Sequence, residues 1–129
     1  MTAVLDTCAL LWWTLDPGQL SAPALAACEE IERKGGYASA ISVWEIGIKV
    51  KRGKLDLGLP FHDYVRRLRA VDVLTLLPVD TDIWVANLAL NWDHRDPADR
   101  TIVATAMQRE LPIVTKDRLI ANYYAHSIW

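Results

Sequence analysis

Cysteine is scarce in this 129-residue chain: there are two, Cys8 and Cys28, and neither has a partner at metal-ligand spacing. A zinc module and a disulfide framework are therefore excluded, and buried free thiols are expected at both positions. No apolar run approaches the roughly twenty residues that a membrane span needs. The N-terminal residues lack the basic region and apolar core of a secretory signal, so a cytoplasmic protein with no membrane attachment is expected. Repeats and low-complexity tracts are missing too. So is an excess of positive charge: 14 Lys and Arg stand against 16 Asp and Glu, a net charge of −2, which argues against nucleic acid held by bulk attraction alone.

What is present fits a compact fold. Hydrophobic residues make up 52% and charged residues 23% of the chain, ordinary values for a globular protein. The length suits a single domain, 1–129, that buries about two-thirds of its unfolded surface. Basic residues gather at Lys49, Lys51, Arg52 and Lys54, at Arg66, Arg67 and Arg69, and at His94, Arg95 and Arg100. Each group has an ordinary reading as a solvated face.

The chain opens on Thr2-Ala-Val-Leu-Asp-Thr7, a short apolar strand that ends in Asp6 and runs into a helical pattern from Thr7 to Trp13. Asp16 to Gln19 is a turn, and Ser21 with Pro23 starts a helix that carries Leu25, Cys28 and Ile31 on one face before Gly35-Gly36 ends it. Tyr37 to Ile41 reads as a strand. Ser42 and Glu45 form the pattern of a capping box for the next helix, which continues to Gly53. A loop through Pro60 leads to a helix over Phe61–Ala70, a strand over Val73–Val79, and a helix over Asp80–Leu90 with Ile83, Trp84, Asn87 and Leu88 at helical intervals. Asp96-Pro97 starts a further helix to Glu110, with Ile102, Val103, Ala106 and Met107 facing inward. Leu111–Thr115 is a buried strand, Asp117 opens a short helix, and Ser127–Trp129 supplies a last strand. Five strands alternating with helices predict a three-layer α/β domain with a central, mainly parallel sheet.

Asp6, Glu45, Asp99 and Asp117 each fall in the first turn of a predicted helix, where capping or the helix dipole is reason enough for a carboxylate. Together they point to one sheet edge, where α/β proteins place their ligands. Four carboxylates side by side repel one another unless cations sit among them. Oxygen ligands alone favour Mg²⁺ or Mn²⁺, and such ions can activate a water and support in-line displacement at phosphorus. Ser39, Ser42 and Thr115 are hydroxyls at the same edge. Asp80 also follows a strand and opens a helix, so strand order decides whether it joins the group.

The strand ending in Asp6-Thr7, the segment Ser39-Ala-Ile-Ser-Val-Trp-Glu-Ile46 with Lys49 and Gly53-Lys-Leu55 behind it, the string His94-Arg-Asp-Pro-Ala-Asp-Arg100, and Val114-Thr-Lys-Asp117 resemble the PIN domain family over nearly the whole chain. More narrowly, they resemble the VapC-type ribonuclease toxins of bacterial toxin–antitoxin pairs. The resemblance implies a metal-dependent endoribonuclease acting on single-stranded or looped RNA, transfer RNA included, with a metal-activated water, an antitoxin that blocks the site, and a homodimer. It assigns Asp6, Glu45, Asp99 and Asp117 as catalytic metal ligands for Mg²⁺ or Mn²⁺, with Thr7, Ser39, Ser42, Asp96 and Thr115 in support. Lys49, Arg95 and Arg100 are the expected phosphate contacts. It also places the strand before Asp80 at a sheet edge, away from the site. Ala98 stands where close relatives often carry Phe.

Two other classes compete: a non-catalytic PIN-like module that binds RNA or protein, and an enzyme working through an aspartyl-phosphate. The second commonly has an Asp two residues after the nucleophile, where this chain has Cys8. Leu10, Leu11, Trp12 and Trp13 form an apolar stretch too broad for one helix face, expected either as a buried helix or as a groove for a partner.

Overall fold

Val4 and Leu5 are fully buried and form β1 (Val4–Leu5), the middle strand of a five-stranded sheet in a computed structural model that describes residues 2–129. The other strands are β2 (Gly36–Ser39), β3 (Leu74–Leu77), β4 (Ile113–Val114) and β5 (Ser127–Ile128), in the order β3-β2-β1-β4-β5. Every pairing is parallel, with Val4 opposite Tyr37 on one side and Ile113 on the other. The chain builds outward from β1 through β2 to β3, then returns to lay β4 on the opposite flank of β1. That reversal opens a crevice at the carboxyl ends of β1 and β4, the position where open α/β sheets bind ligands.

Successive side chains on a strand point to opposite faces, and β1 and β4 split accordingly. Leu5 and Val114 join a core with α1 (Thr7–Leu15), α2 (Ala22–Lys34), α3 (Ala40–Lys51) and α4 (Phe61–Arg69); Val4 and Ile113 join a second core with α6 (Pro97–Arg109) and α7 (Arg118–Tyr123). The remaining helix, α5 (Thr81–Ala89), lies against α6. The three-layer α/β arrangement expected from the pattern of strands and helices is what forms. β3 is an edge strand, so Asp80 caps α5 through Ile83 N at 2.9 Å, far from the central crevice.

Local departures have local causes. β2 ends at Ser39, whose hydroxyl accepts from Ile41 N and caps α3. Ser42 is consequently inside the helix and Glu45 lies in its second turn, so the expected capping box does not form. Met107, expected to face inward, is exposed, as are Leu25, Trp84 and Leu88, which lie at helical intervals; Cys8, expected to be buried, is exposed, while Cys28 is buried. The Leu10–Trp13 stretch is mostly covered: Leu10 is buried, Trp12 packs against Trp129, and Trp13 donates to Glu32.

Gly36 begins β2 directly beneath α2. A Cβ there would stand 2.7 Å from the fully buried side chain of Ile31. Gly36→Ala is expected to cost about 1–3 kcal/mol, the usual effect of overpacking a filled core. Urea unfolding would show it as a lower midpoint with an unchanged slope.

Candidate active site

Asp6 leaves β1 into the crevice with both carboxylate oxygens engaged. Oδ1 accepts from Ala9 N at 2.8 Å, capping α1, and Oδ2 accepts from the Thr115 hydroxyl at 2.5 Å, tying β1 to the end of β4. The residue is 5% exposed. Burial, with the charges of Asp99 and Asp117 adding to it, pushes its carboxyl up from 3.8 to about 6 against the pull of these two hydrogen bonds. Both capping and the acidic centre are therefore true of Asp6, and capping alone does not explain so costly an environment.

Asp99 arrives from the first turn of α6. Asp96 caps that helix, accepting from Asp99 N at 2.9 Å, and Pro97 occupies its first position. The Asp99 carboxyl is also pushed up to about 6, first by burial and then by Asp96 and Asp117, with the hydrogen bond from His94 (Nε2 to Oδ2, 2.8 Å) opposing. Asp117 caps α7 through Leu119 N and Ile120 N, while its own N–H donates to Thr115 Oγ1 at 3.0 Å. Thr115 thus links Asp6 to Asp117. Glu45 faces the group from α3, and all five carboxylates, Asp6, Glu45, Asp96, Asp99 and Asp117, line one cleft of about 360 Å³.

Among the described residues, Lys49 and Lys116 are the two that bring an ammonium group to that cleft. The negative excess, with two carboxyls raised, makes the cleft a place where a cation would be favoured. Among the described residues, no three Asp, Glu, His or Cys side chains converge tightly enough to enclose a single ion. The donors lining the cleft are carboxylate oxygens with no imidazole among them, the ligand chemistry of Mg²⁺ or Mn²⁺.

The remaining expected residues divide. Thr7 lines the cleft, and its hydroxyl shares a 2.9 Å hydrogen bond with that of Ser42, pinning α1 to α3. Ser39 and Ser42 are buried and do not line it. Lys49 does, whereas Arg95 is exposed in a neighbouring cleft with Trp84 and Trp92. Arg100 is corrected outright. Its five N–H groups donate to Asn87 Oδ1, Asn87 O, Leu90 O, Trp92 O and His94 O, leaving none for a phosphate.

Two groups at the site, Lys116 and His94, escaped the sequence reading. Lys116 was visible only as the neighbour of Asp117; it projects over Trp12, 5.8 Å from the ring centre. His94 was counted as one of a basic string, and nothing periodic shows that its loop folds back to Asp99. Cys8 stands on the first turn after Asp6. Its thiol is held above the usual range, by the protein packed around it first and by the Asp6 charge next. The position that an aspartyl-phosphate enzyme commonly fills with a carboxylate therefore carries a thiol in this chain.

Residues 3–125 match the family described as PIN domain. Ribonuclease VapC22 of Mycobacterium tuberculosis is 29% identical over 124 residues, spanning 95% of this chain and 92% of that protein. Among solved structures, a toxin-antitoxin complex from Klebsiella pneumoniae superposes with a TM-score of 0.66 at 19% identity, covering 99% of this chain and 97% of the other. The crystal structure of FitAcB from Neisseria gonorrhoeae gives 0.65 at 24%, covering 97% and 93%. At these identities the two structures speak for the fold.

Proposed function

Because the chain belongs to the PIN domain family, we propose that it is a divalent-metal-dependent endoribonuclease, the toxin of a toxin–antitoxin pair, built as a single PIN domain over residues 1–129. The observation that carries this reading is the cleft at the strand-order reversal, where five carboxylates meet two lysines and two of the acids are pushed up to about 6. A relative named as a ribonuclease supports the choice of RNA.

In this reading Asp6, Glu45, Asp99 and Asp117 hold Mg²⁺ or Mn²⁺. When bound, the ion supplies positive charge for the scissile phosphate and lowers the pKa of an attacking water. Thr115 fixes the orientation of Asp6 and hands its other side to Asp117. Asp96 shapes the turn that presents Asp99, and the Thr7–Ser42 bond holds the walls together. Lys49 and Lys116 take the flanking phosphates of a single strand, with Arg95 on the outer path. A cytoplasmic location goes with this reading as a proposal; no helix among the described residues is long and apolar enough to cross a membrane. An antitoxin protein is the partner that closes the cleft. A homodimer is proposed with it, supported by the outward face of α5, where Trp84, Val85 and Leu88 are exposed.

The test is incubation of the purified protein with a pool of single-stranded and structured RNAs, transfer RNAs included, in Mn²⁺ and in EDTA. Discrete cleavage in Mn²⁺ that stops in EDTA is the expected result. Tight RNA retention with no cleavage in any metal would replace the nuclease with a binding module.

A further inference from the structure

We propose that Arg100 is a positioning residue for Asp99, acting through His94; the inference rests on the reading of Asp99 as a metal ligand. Residues 90–96 form the connection between α5 and α6 and contain no helix or strand. Such a segment has few internal hydrogen bonds to hold its path, and here one side chain supplies them. Arg100 Nη1 donates to Trp92 O at 2.5 Å and His94 O at 3.0 Å, Nη2 to Asn87 O at 2.6 Å and Leu90 O at 3.3 Å, and Nε to Asn87 Oδ1 at 3.3 Å. The carbonyls of Asn87 and Leu90 belong to the C-terminal end of α5, where carbonyls lose their helical donors and a cation is favoured.

His94 is consequently gripped at two points by two adjacent residues of α6. Arg100 holds its backbone carbonyl, and Asp99 accepts from its ring. The imidazole also lies against Trp92, 4.8 Å between ring centres, and Trp92 is stacked on Tyr123 at 4.7 Å and 9°. An ionised carboxylate only accepts, so His94 Nε2 carries the hydrogen, and Asp99 Oδ2 is committed to it. The carboxylate is held in one orientation with Oδ1 left for a ligand. Removing the clasp frees the connection, the ring leaves Oδ2, and Asp99 loses its fixed orientation. Outer partners of metal ligands act in this way.

Arg100→Lys keeps the charge but cannot span five acceptors. It is compared with His94→Ala, with the double variant, and with Gly36→Ala as a control that destabilises the fold far from the connection. One readout is the ¹⁵N NMR pattern of the His94 ring, which reports a fixed Nε2–H form in the native protein. The other is the Kd for Mn²⁺ alone, titrated well below every melting temperature. Arg100→Lys is expected to average the His94 tautomers and weaken Mn²⁺ binding about 10-fold, within the range seen for outer partners of metal ligands. His94→Ala should weaken binding similarly, and the double variant no further, since both act through one contact. Gly36→Ala should leave Kd unchanged. The proposal is overturned if Arg100→Lys only lowers the melting temperature, leaving tautomer and Kd as in the native protein, or if the two losses multiply. A native protein that takes up no Mn²⁺ would instead overturn the reading of the cleft, and the His94 tautomer would decide the role of Arg100 by itself.

Discussion

Asp6→Asn is expected to abolish RNA cleavage and, in the absence of metal, to make the protein more stable at neutral pH. The two effects have one origin. The carboxylate is buried, and its pKa of about 6 in the fold against 3.8 ordinarily means that the ionised native state is disfavoured by about 3 kcal/mol above pH 6, at 1.36 kcal/mol per unit. Asn keeps an oxygen for Ala9 N and removes the charge, but its amide no longer accepts from the Thr115 hydroxyl, which costs about 1–2 kcal/mol. The net gain is on the order of 5 °C in melting temperature for a chain of this size. Cleavage should fall on the order of 10³-fold, the scale of losing a group that organises charge around the reacting phosphate. Cleavage at the native rate would remove Asp6 from the chemistry, and a large drop in stability would mean that its charge is compensated within the fold.

Metal-free protein is expected to be more stable at pH 5 than at pH 7.5, with Mn²⁺ closing most of the gap. Asp6 and Asp99 both have folded-state values raised from 3.8 to about 6. The stability they contribute is fully present below 3.8, where both states are protonated, and is lost as pH rises through 6, because the unfolded chain ionises first. Divalent metal binds the ionised acids, so millimolar Mn²⁺ should add about 2–3 kcal/mol at pH 7.5 if the concentration is on the order of 100 times Kd. At pH 5 it should add little. Melting curves at the two pH values, with and without Mn²⁺, give the answer; a metal-free protein that gains stability steadily from pH 5 to 7.5, or an equal Mn²⁺ shift at both, would contradict the shared carboxylate site.

Features written in a few adjacent residues were legible in the sequence. Asp6 closes an apolar run, and Asp96-Pro97-Ala-Asp99 combines a cap with a proline at the first helical position, so strand end and helix start are local chemistry. Strand order is not local, and the reversal that brings β4 beside β1 appears only in the fold. Ser42 and Glu45 misled because Ser39, three residues earlier, serves as the cap, and β2 stops to let it. Trp84, Leu88 and Met107 sit at helical intervals, but spacing says which residues share a face and not whether anything covers it. Arg100 shows the same limit for charge. A guanidinium near acids and other bases reads as a phosphate contact until its five acceptors, all on the segment 87–94, are in view.

The hydrogen bond from Thr115 to Asp6 joins positions 109 residues apart in the chain, and β1 has β4 as its neighbour on that same side. During synthesis Asp6 is made 109 residues before Thr115, and so ahead of the flanking strand β4 and of Asp117. A partly translated chain can pair β1 with β2 alone, and its Asp6 then faces neither Thr115 nor Asp117. Assembly of the cleft is therefore deferred until the segment around Thr115 has emerged, so a chain interrupted before β4 carries no finished cleft.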